Sequence, residues 1–230
     1  MQKVAFIGSY DKADMILYIG KIMATMGYKV LIIDSTLLQK TKYIVPSISP
    51  TKTYMTYYED IDVAVGFDCM EGIEEYAGLK EDEELDYDYA LIDIDTSIAY
   101  EKFELNPTDK TFFVTSFDVY SLKRGVEALT NFKVQVPITK VYFTRDMLPE
   151  EDDYFNFLTL ACNVKWNEEI IYFPFEKGDQ CALFENQRMS KIKFRNLSTA
   201  YVDSISYMTE IILECSSGEI RKAIKQIEKS

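Results

Sequence analysis

Val4 to Gly8 is a short apolar run closed by a glycine, and behind it Met15, Ile19, Ile22, Met23 and Met26 recur on one helical face. The pattern predicts a strand, a turn and a helix. Gly27 stops that helix, and Lys29 to Asp34 then forms a continuous apolar run with an acidic end, as expected of a parallel strand buried on both faces. Further strands are predicted at Ile61 to Phe67, Tyr89 to Asp93, Thr111 to Thr115, Ile138 to Phe143 and Ile170 to Phe173. Helical spacing predicts helices over Met70 to Gly78, Val119 to Phe132, Glu151 to Leu160, Leu197 to Glu214 and Glu219 to Glu228. From Ser35 to Asp60, prolines and many Thr and Tyr residues predict a loop with short extended pieces. The acidic run Glu81 to Asp88 reads as a solvated approach to the next strand. Strands alternating with helices predict an α/β fold, a mostly parallel sheet with helices on both faces, in a single domain spanning residues 1–230.

Composition narrows the chemistry. The 230 residues, 47% hydrophobic, suffice for one core, and no apolar run approaches the roughly 20 residues that cross a bilayer. The amino terminus enters the first strand without the basic and long apolar segments of a secretory signal, which predicts a cytoplasmic protein. The chain has no histidine, so the commonest general base and transition-metal ligand are missing, and a Ser-His-Asp or Cys-His hydrolase is excluded. Cys69, Cys162, Cys181 and Cys215 form no Cys-x-x-Cys pair and read as free thiols rather than a zinc or redox site. No catalytic residue and no metal site are predicted. A net charge of -13 repels a phosphate backbone, so nucleic acid is not an expected partner.

In an open parallel sheet, ligands bind at the carboxyl ends of the strands, so the turn after the first strand is where binding chemistry belongs. It reads Gly8-Ser-Tyr-Asp-Lys-Ala-Asp-Met-Ile16. Here the chain resembles the MinD/ParA family of deviant Walker-A ATPases, whose loop reads Gly-Lys-Gly-Gly-x-Gly-Lys-Thr-Thr at the same distance from strand and helix. Gly27 to Asp34 is similar to the family's second strand and its acidic end, and Tyr87 to Asp93 to its Walker-B strand. Val114 to Leu122 is similar to the strand-to-helix turn that follows, and Ile171 to Phe175 to the proline-containing segment near the base pocket. The resemblance covers most of the chain and implies a P-loop NTPase fold.

It also implies a vestigial nucleotide site. Gly8 keeps the family's first glycine, while Ser9 stands where the signature lysine reaches across a dimer. Tyr10, Asp11 and Ala13 stand where glycines follow, Asp14 at the lysine that contacts the β- and γ-phosphates, and Met15 at the hydroxyl residue that holds magnesium. Glycines let backbone N–H groups close around phosphates, and a carboxylate in place of the lysine turns attraction into repulsion. Asp34 and Asp93 match the family's acidic switch and Walker-B positions, and Thr144, followed by Arg145, stands where an asparagine reads adenine. No cofactor is therefore expected. ATP with magnesium enters only under the alternative that Lys12 swings inward to replace the lost lysine; otherwise Asp11, Lys12 and Asp14 are polar residues at a solvated helix start.

The leading expectation is a non-catalytic MinD/ParA-like scaffold or positioning factor for a cytoplasmic or membrane-associated assembly such as a pilus or secretion apparatus, with protein partners. The alternatives are an ATPase using Lys12 and an interaction module that forms a homodimer through the old nucleotide face. At the carboxyl end, residues 216–230 predict an amphipathic helix with Ile220, Ala223, Ile224 and Ile227 on one face and Arg221, Lys222, Lys225 and Lys229 supplying charge. Such a helix packs on its own domain or, through Ile220, Ile224, Ile227, Lys222 and Lys225, makes a peripheral membrane contact.

Overall fold

The computed structural model describes residues 1–46, 53–80 and 83–229. In chain order the elements are β1 (Gln2–Ile7), α1 (Ala13–Thr25), β2 (Val30–Asp34), α2 (Thr41–Ile44), β3 (Tyr54–Tyr58), β4 (Ile61–Val65), α3 (Met70–Ala77), β5 (Tyr89–Ile94) and α4 (Ser97–Lys102). They continue as β6 (Lys110–Thr115), α5 (Val119–Leu129), β7 (Val136–Tyr142), α6 (Pro149–Leu158), β8 (Val164–Tyr172), α7 (Lys177–Met189), α8 (Thr199–Leu213) and α9 (Ser217–Ile227). The strands form one eight-stranded sheet in the order β3-β4-β2-β5-β1-β6-β7-β8, parallel except where β3 runs antiparallel to β4.

The continuous apolar runs become the central strands because helices cover both of their faces. Every residue of β2 and β5 is buried. Along β1, successive side chains alternate between two cores: Val4 and Phe6 join α1, α8 and α9 on one side, whereas Ala5 and Ile7 join α3, α4, α5 and α6 on the other. The parallel, two-sided α/β architecture is the one the apolar pattern predicts.

Five elements depart from the sequence reading: α2, β3, α4 and α7 are not among the predicted elements, and β8 starts early. Where the sequence predicts a loop with short extended pieces, the segment from Ser35 to Asp60 carries α2 and the extended piece β3, which is paired into the sheet, although residues 47–52 of it lie outside the described residues. The β3–β4 turn gives no sequence signal because Glu59 and Asp60, not glycine or asparagine, adopt its positive φ angles of 53° and 67°. Lys21 offsets that strain by donating to the Glu59 carbonyl at 3.2 Å and to Asp60 Oδ2 at 2.8 Å. Helix α7 was not expected because its sequence is mostly polar, and only Asp179, Ala182, Leu183 and Asn186 on it are buried. Edge strand β8 starts at Val164, six residues before the predicted Ile170, and most of its positions are exposed or half-buried, so its apolar signal is confined to its end. Of the acidic run from Glu81 to Asp88, residues 81 and 82 lie outside the described residues.

Helix α9 takes the first of its two expected placements, packing on its own domain. Ile220, Ala223 and Ile227 are buried in the core beside α1 and α8, and Ile224 packs against the same cluster, leaving Lys222 and Lys225 outward. An apolar stripe that completes a core is not presented to a bilayer, so the proposed contact through Ile220, Ile224 and Ile227 is not made in this structure. No helix among the described residues is long and apolar enough to cross a membrane. Ile220→Ala is expected to cost about 2–4 kcal/mol, the usual penalty for truncating a fully buried isoleucine, as read from urea unfolding midpoints. An unchanged midpoint would show that α9 does not belong to the core.

Candidate functional site

The order of crossover reverses at β1, which lies between β5 and β6, so the loops after β1 and β5 border a crevice at the carboxyl ends of the strands. Asp34 closes β2 opposite Asp93 of β5, their Cα atoms in register, and Phe6 of β1 flanks Asp93 on its other side. The topology thus brings two buried carboxylates next to the β1–α1 loop.

That loop passes close to β6. Gly8 has φ +141°, and a Cβ built on it would sit 2.1 Å from the Val114 carbonyl oxygen. Its N–H donates to the Ile94 carbonyl at 3.1 Å. Four residues on, Lys12 occupies the N-cap position of α1 and turns its side chain inward. Its Nζ lies 2.7 Å from Asp93 Oδ1 and donates to the Gly8 carbonyl at 2.6 Å, with both side chains of the ion pair almost fully buried. Burial pushes the Asp93 carboxyl up to about 7; the Lys12 ammonium opposes the shift and the Asp34 charge adds to it.

A cavity of about 180 Å³ lies over this pair, lined by Gly8 to Ala13, Asp34, Thr36, Leu38, Lys40, Asp93 and Asp95. Asp34 is occupied by the chain that follows it: it accepts from Thr36 N at 3.1 Å, Thr36 Oγ1 at 2.7 Å and Thr41 N at 2.8 Å. Asp95 is buried, accepts from Leu37 N at 3.1 Å through Oδ2, and has no hydrogen-bond partner at Oδ1 among the described residues. Asp11 Oδ1 accepts from Ala13 N at 3.3 Å, and its carboxylate pairs with Lys40. Among the described residues no group of three or more side chains is arranged to hold a metal ion.

No family model and no curated protein matches the sequence. Solved structures do match it. The MinC:MinD cell division protein complex of Aquifex aeolicus superposes with a TM-score of 0.62 at 15% identity, over 94% of this chain and 97% of that one. A ParA family ATPase from Chlorobium tepidum superposes with a TM-score of 0.55 at 14% identity, over 90% and 97%. A putative plasmid partition protein from Borrelia burgdorferi, bound to AMPPNP, gives 0.51 at 13% identity, over 93% and 98%.

The fold is that of the MinD and ParA ATPases. On this MinD/ParA-like fold, the residues singled out from the sequence separate into two groups. Gly8, Ser9, Tyr10, Asp11, Lys12, Ala13, Asp34 and Asp93 gather around the one cavity. Lys12 is not the solvated residue of the simpler sequence reading, since it is 3% exposed and paired. Asp14 faces away, toward α7, where Gln187 Nε2 lies 2.9 Å from each carboxylate oxygen and burial raises its proton affinity. Met15 is buried in the core. Thr144 donates to the Asp146 carbonyl at 2.8 Å and Arg145 is exposed; neither lines this cavity. The sequence reading missed Thr36, Leu38, Lys40 and Asp95. Asp95, two residues beyond a strand-end aspartate, was the one with a detectable signal.

A second cavity of about 170 Å³ lies beyond Tyr10 and Asp11, against α7 and α8. Asp14 and Met15 line it together with aromatic side chains from the ends of β7 and β8 and from both helices.

Proposed function

We propose that this protein is a MinD/ParA-like binding platform that positions or assembles other proteins without hydrolysing nucleotide. The observation that carries the reading is the Lys12 ammonium, buried between the Gly8 carbonyl and Asp93 where the loop meets β5. The loop supplies its own cation to the strand-end carboxylate. At the start of α1, where backbone N–H groups would receive a phosphate, it supplies its own anion through Asp11. The cavity of about 180 Å³ is also below the roughly 300–1,000 Å³ of ordinary ligand pockets. These residues do not fit a magnesium nucleotide, and no catalytic step is derived through one.

The Aquifex relative is a cell division protein whose structure is a complex with MinC. A positioning role reaches this chain from the fold, and a pilus, secretion or similar assembly in the cytoplasm or at the membrane is the context proposed for it. The acidic charge of -13 favours protein partners over nucleic acid. A second reading, an ATPase, draws on Asp95 Oδ1, unpartnered among the described residues beside the same cavity, with Lys12 leaving Asp93 for a phosphate.

Isothermal titration of ATP and ADP with magnesium is expected to give no saturable heat with the wild-type protein. Micromolar binding to the wild-type protein together with magnesium-dependent turnover of ATP would overturn the proposal in favour of the ATPase. A fluorescent fusion is expected to concentrate at discrete sites in its native cell, and uniform fluorescence would count against a positioning role.

A further inference from the structure

The second cavity has aromatic walls and acidic side chains. Tyr10, Phe143, Phe175, Phe184 and Tyr201 line it, and the rings brace one another: Tyr10 lies 4.7 Å from Phe143, and Phe175 lies 5.8 Å from Tyr201. Phe175 and Phe184 are exposed, so these walls open to solvent. Asp14 lines the cavity half-buried, and Asp11 lines it exposed.

Aromatic faces carry negative potential, and a carboxylate among them makes a site selective for cations. Asp14 has capacity left for a further donor, because one amide nitrogen of Gln187 serves both of its oxygens while a carboxylate offers about four acceptor positions. Burial disfavours its ionised form, and a cation beside it would reverse that effect. Lys40 also lines the cavity, but its ammonium is committed to Asp11. A guanidinium suits the site better than an ammonium, because it stacks flat on aromatic rings while its N–H fork pairs with a carboxylate. The net charge of -13 attracts a basic partner from a distance.

We infer that this cavity receives an arginine side chain of a protein partner, its guanidinium stacked on the aromatic walls and paired with the Asp14 carboxylate. The inference goes beyond the proposed function and rests only on these rings being free of a nucleotide base, which would exclude the arginine.

The test is an amide NMR titration of the full chain with N-acetyl-arginine amide, with its uncharged citrulline analogue, and with AMP. Resonances of Tyr10, Asp14 and Phe175 are expected to move saturably with the arginine compound, and the citrulline analogue is expected to bind about tenfold more weakly. Asp14→Asn and Phe175→Ala are each expected to weaken arginine binding about fivefold; Phe175 is exposed, so its variant keeps the test informative if Asp14→Asn fails to fold. Equal binding of citrulline, tighter binding of AMP at the same resonances, indifference to both variants, or no movement would each overturn the site. Arginine silence together with ATP silence overturns the arginine site and leaves the proposed function standing. ATP binding with magnesium-dependent turnover and the arginine shifts intact overturns the proposed function alone.

Discussion

Gly8→Ala is expected to be the most damaging single substitution in the chain, leaving the protein largely unfolded or insoluble. Two effects combine at this residue. Its φ of +141° is a conformation that side-chain-bearing residues rarely adopt, and a new Cβ would lie 2.1 Å from the Val114 carbonyl oxygen. That oxygen belongs to β6, which is locked between β1 and β7, so it cannot move away without shifting the sheet. A loss of about 4 kcal/mol or more is expected, against total stabilities of about 5–15 kcal/mol for such proteins. Gly27→Ala is the control: φ there is also positive, at +98°, but no atom beyond the adjoining residues lies within 4 Å of the added carbon. It is expected to lose only about 1–2 kcal/mol. Urea unfolding of the two variants separates backbone strain from close approach, and similar midpoints would refute the tight packing of the loop on β6.

Lys12→Met is expected to cost up to about 3–5 kcal/mol, reached at alkaline pH, because Asp93 loses its cation and must either stay buried as an orphaned charge or take up a proton. Lys12→Met combined with Asp93→Leu is expected to recover most of that loss, since replacing both members of a buried pair removes the orphaned charge. The pH dependence gives the sharper test. The folded-state pKa of Asp93, pushed up to about 7 chiefly by burial, lies above the roughly 3.9 of an unfolded aspartate. The native state therefore holds this proton more tightly than the unfolded state. Its contribution to stability is fully present below about pH 4 and declines as pH rises through about 7. Without Lys12 nothing opposes the effect of burial, the folded pKa climbs further, and the decline continues to higher pH. The gap in urea midpoint between wild type and Lys12→Met is expected to widen from about pH 6 to about pH 9. A gap independent of pH would show that Lys12 does not face Asp93.

The legible part of this protein is what local pattern controls. Val30 to Asp34 and Tyr89 to Asp93 are apolar throughout because both faces of a central parallel strand are covered, and the sequence carries that requirement openly. Gly27 and Gly78 mark helix ends for the same kind of reason, since each takes a positive φ that suits glycine. Helix α7 and strand β3 were hidden because their stability comes from elsewhere. Asp179 holds α7 by accepting from Glu176 N at 2.9 Å, Ser198 N at 2.6 Å and Ser198 Oγ at 2.9 Å. Lys21, distant in sequence, steadies the turn after β3.

The sequence by itself determined the alternation of strands and helices, the acidic surface, the absence of histidine chemistry and the loop at which a site would form. These follow from residue type and spacing, which need no knowledge of distant neighbours. Only the tertiary structure decided where the side chains of that loop point. Lys12 turns inward because Asp93, 81 positions later, closes the adjacent strand, and Asp14 turns outward because Gln187 waits on a helix that the sequence did not announce. The isoleucines of α9 face inward because α1 and α8 present the apolar side chains that they bury. Charge partners and burial are properties of the assembled chain, and a linear pattern does not contain them.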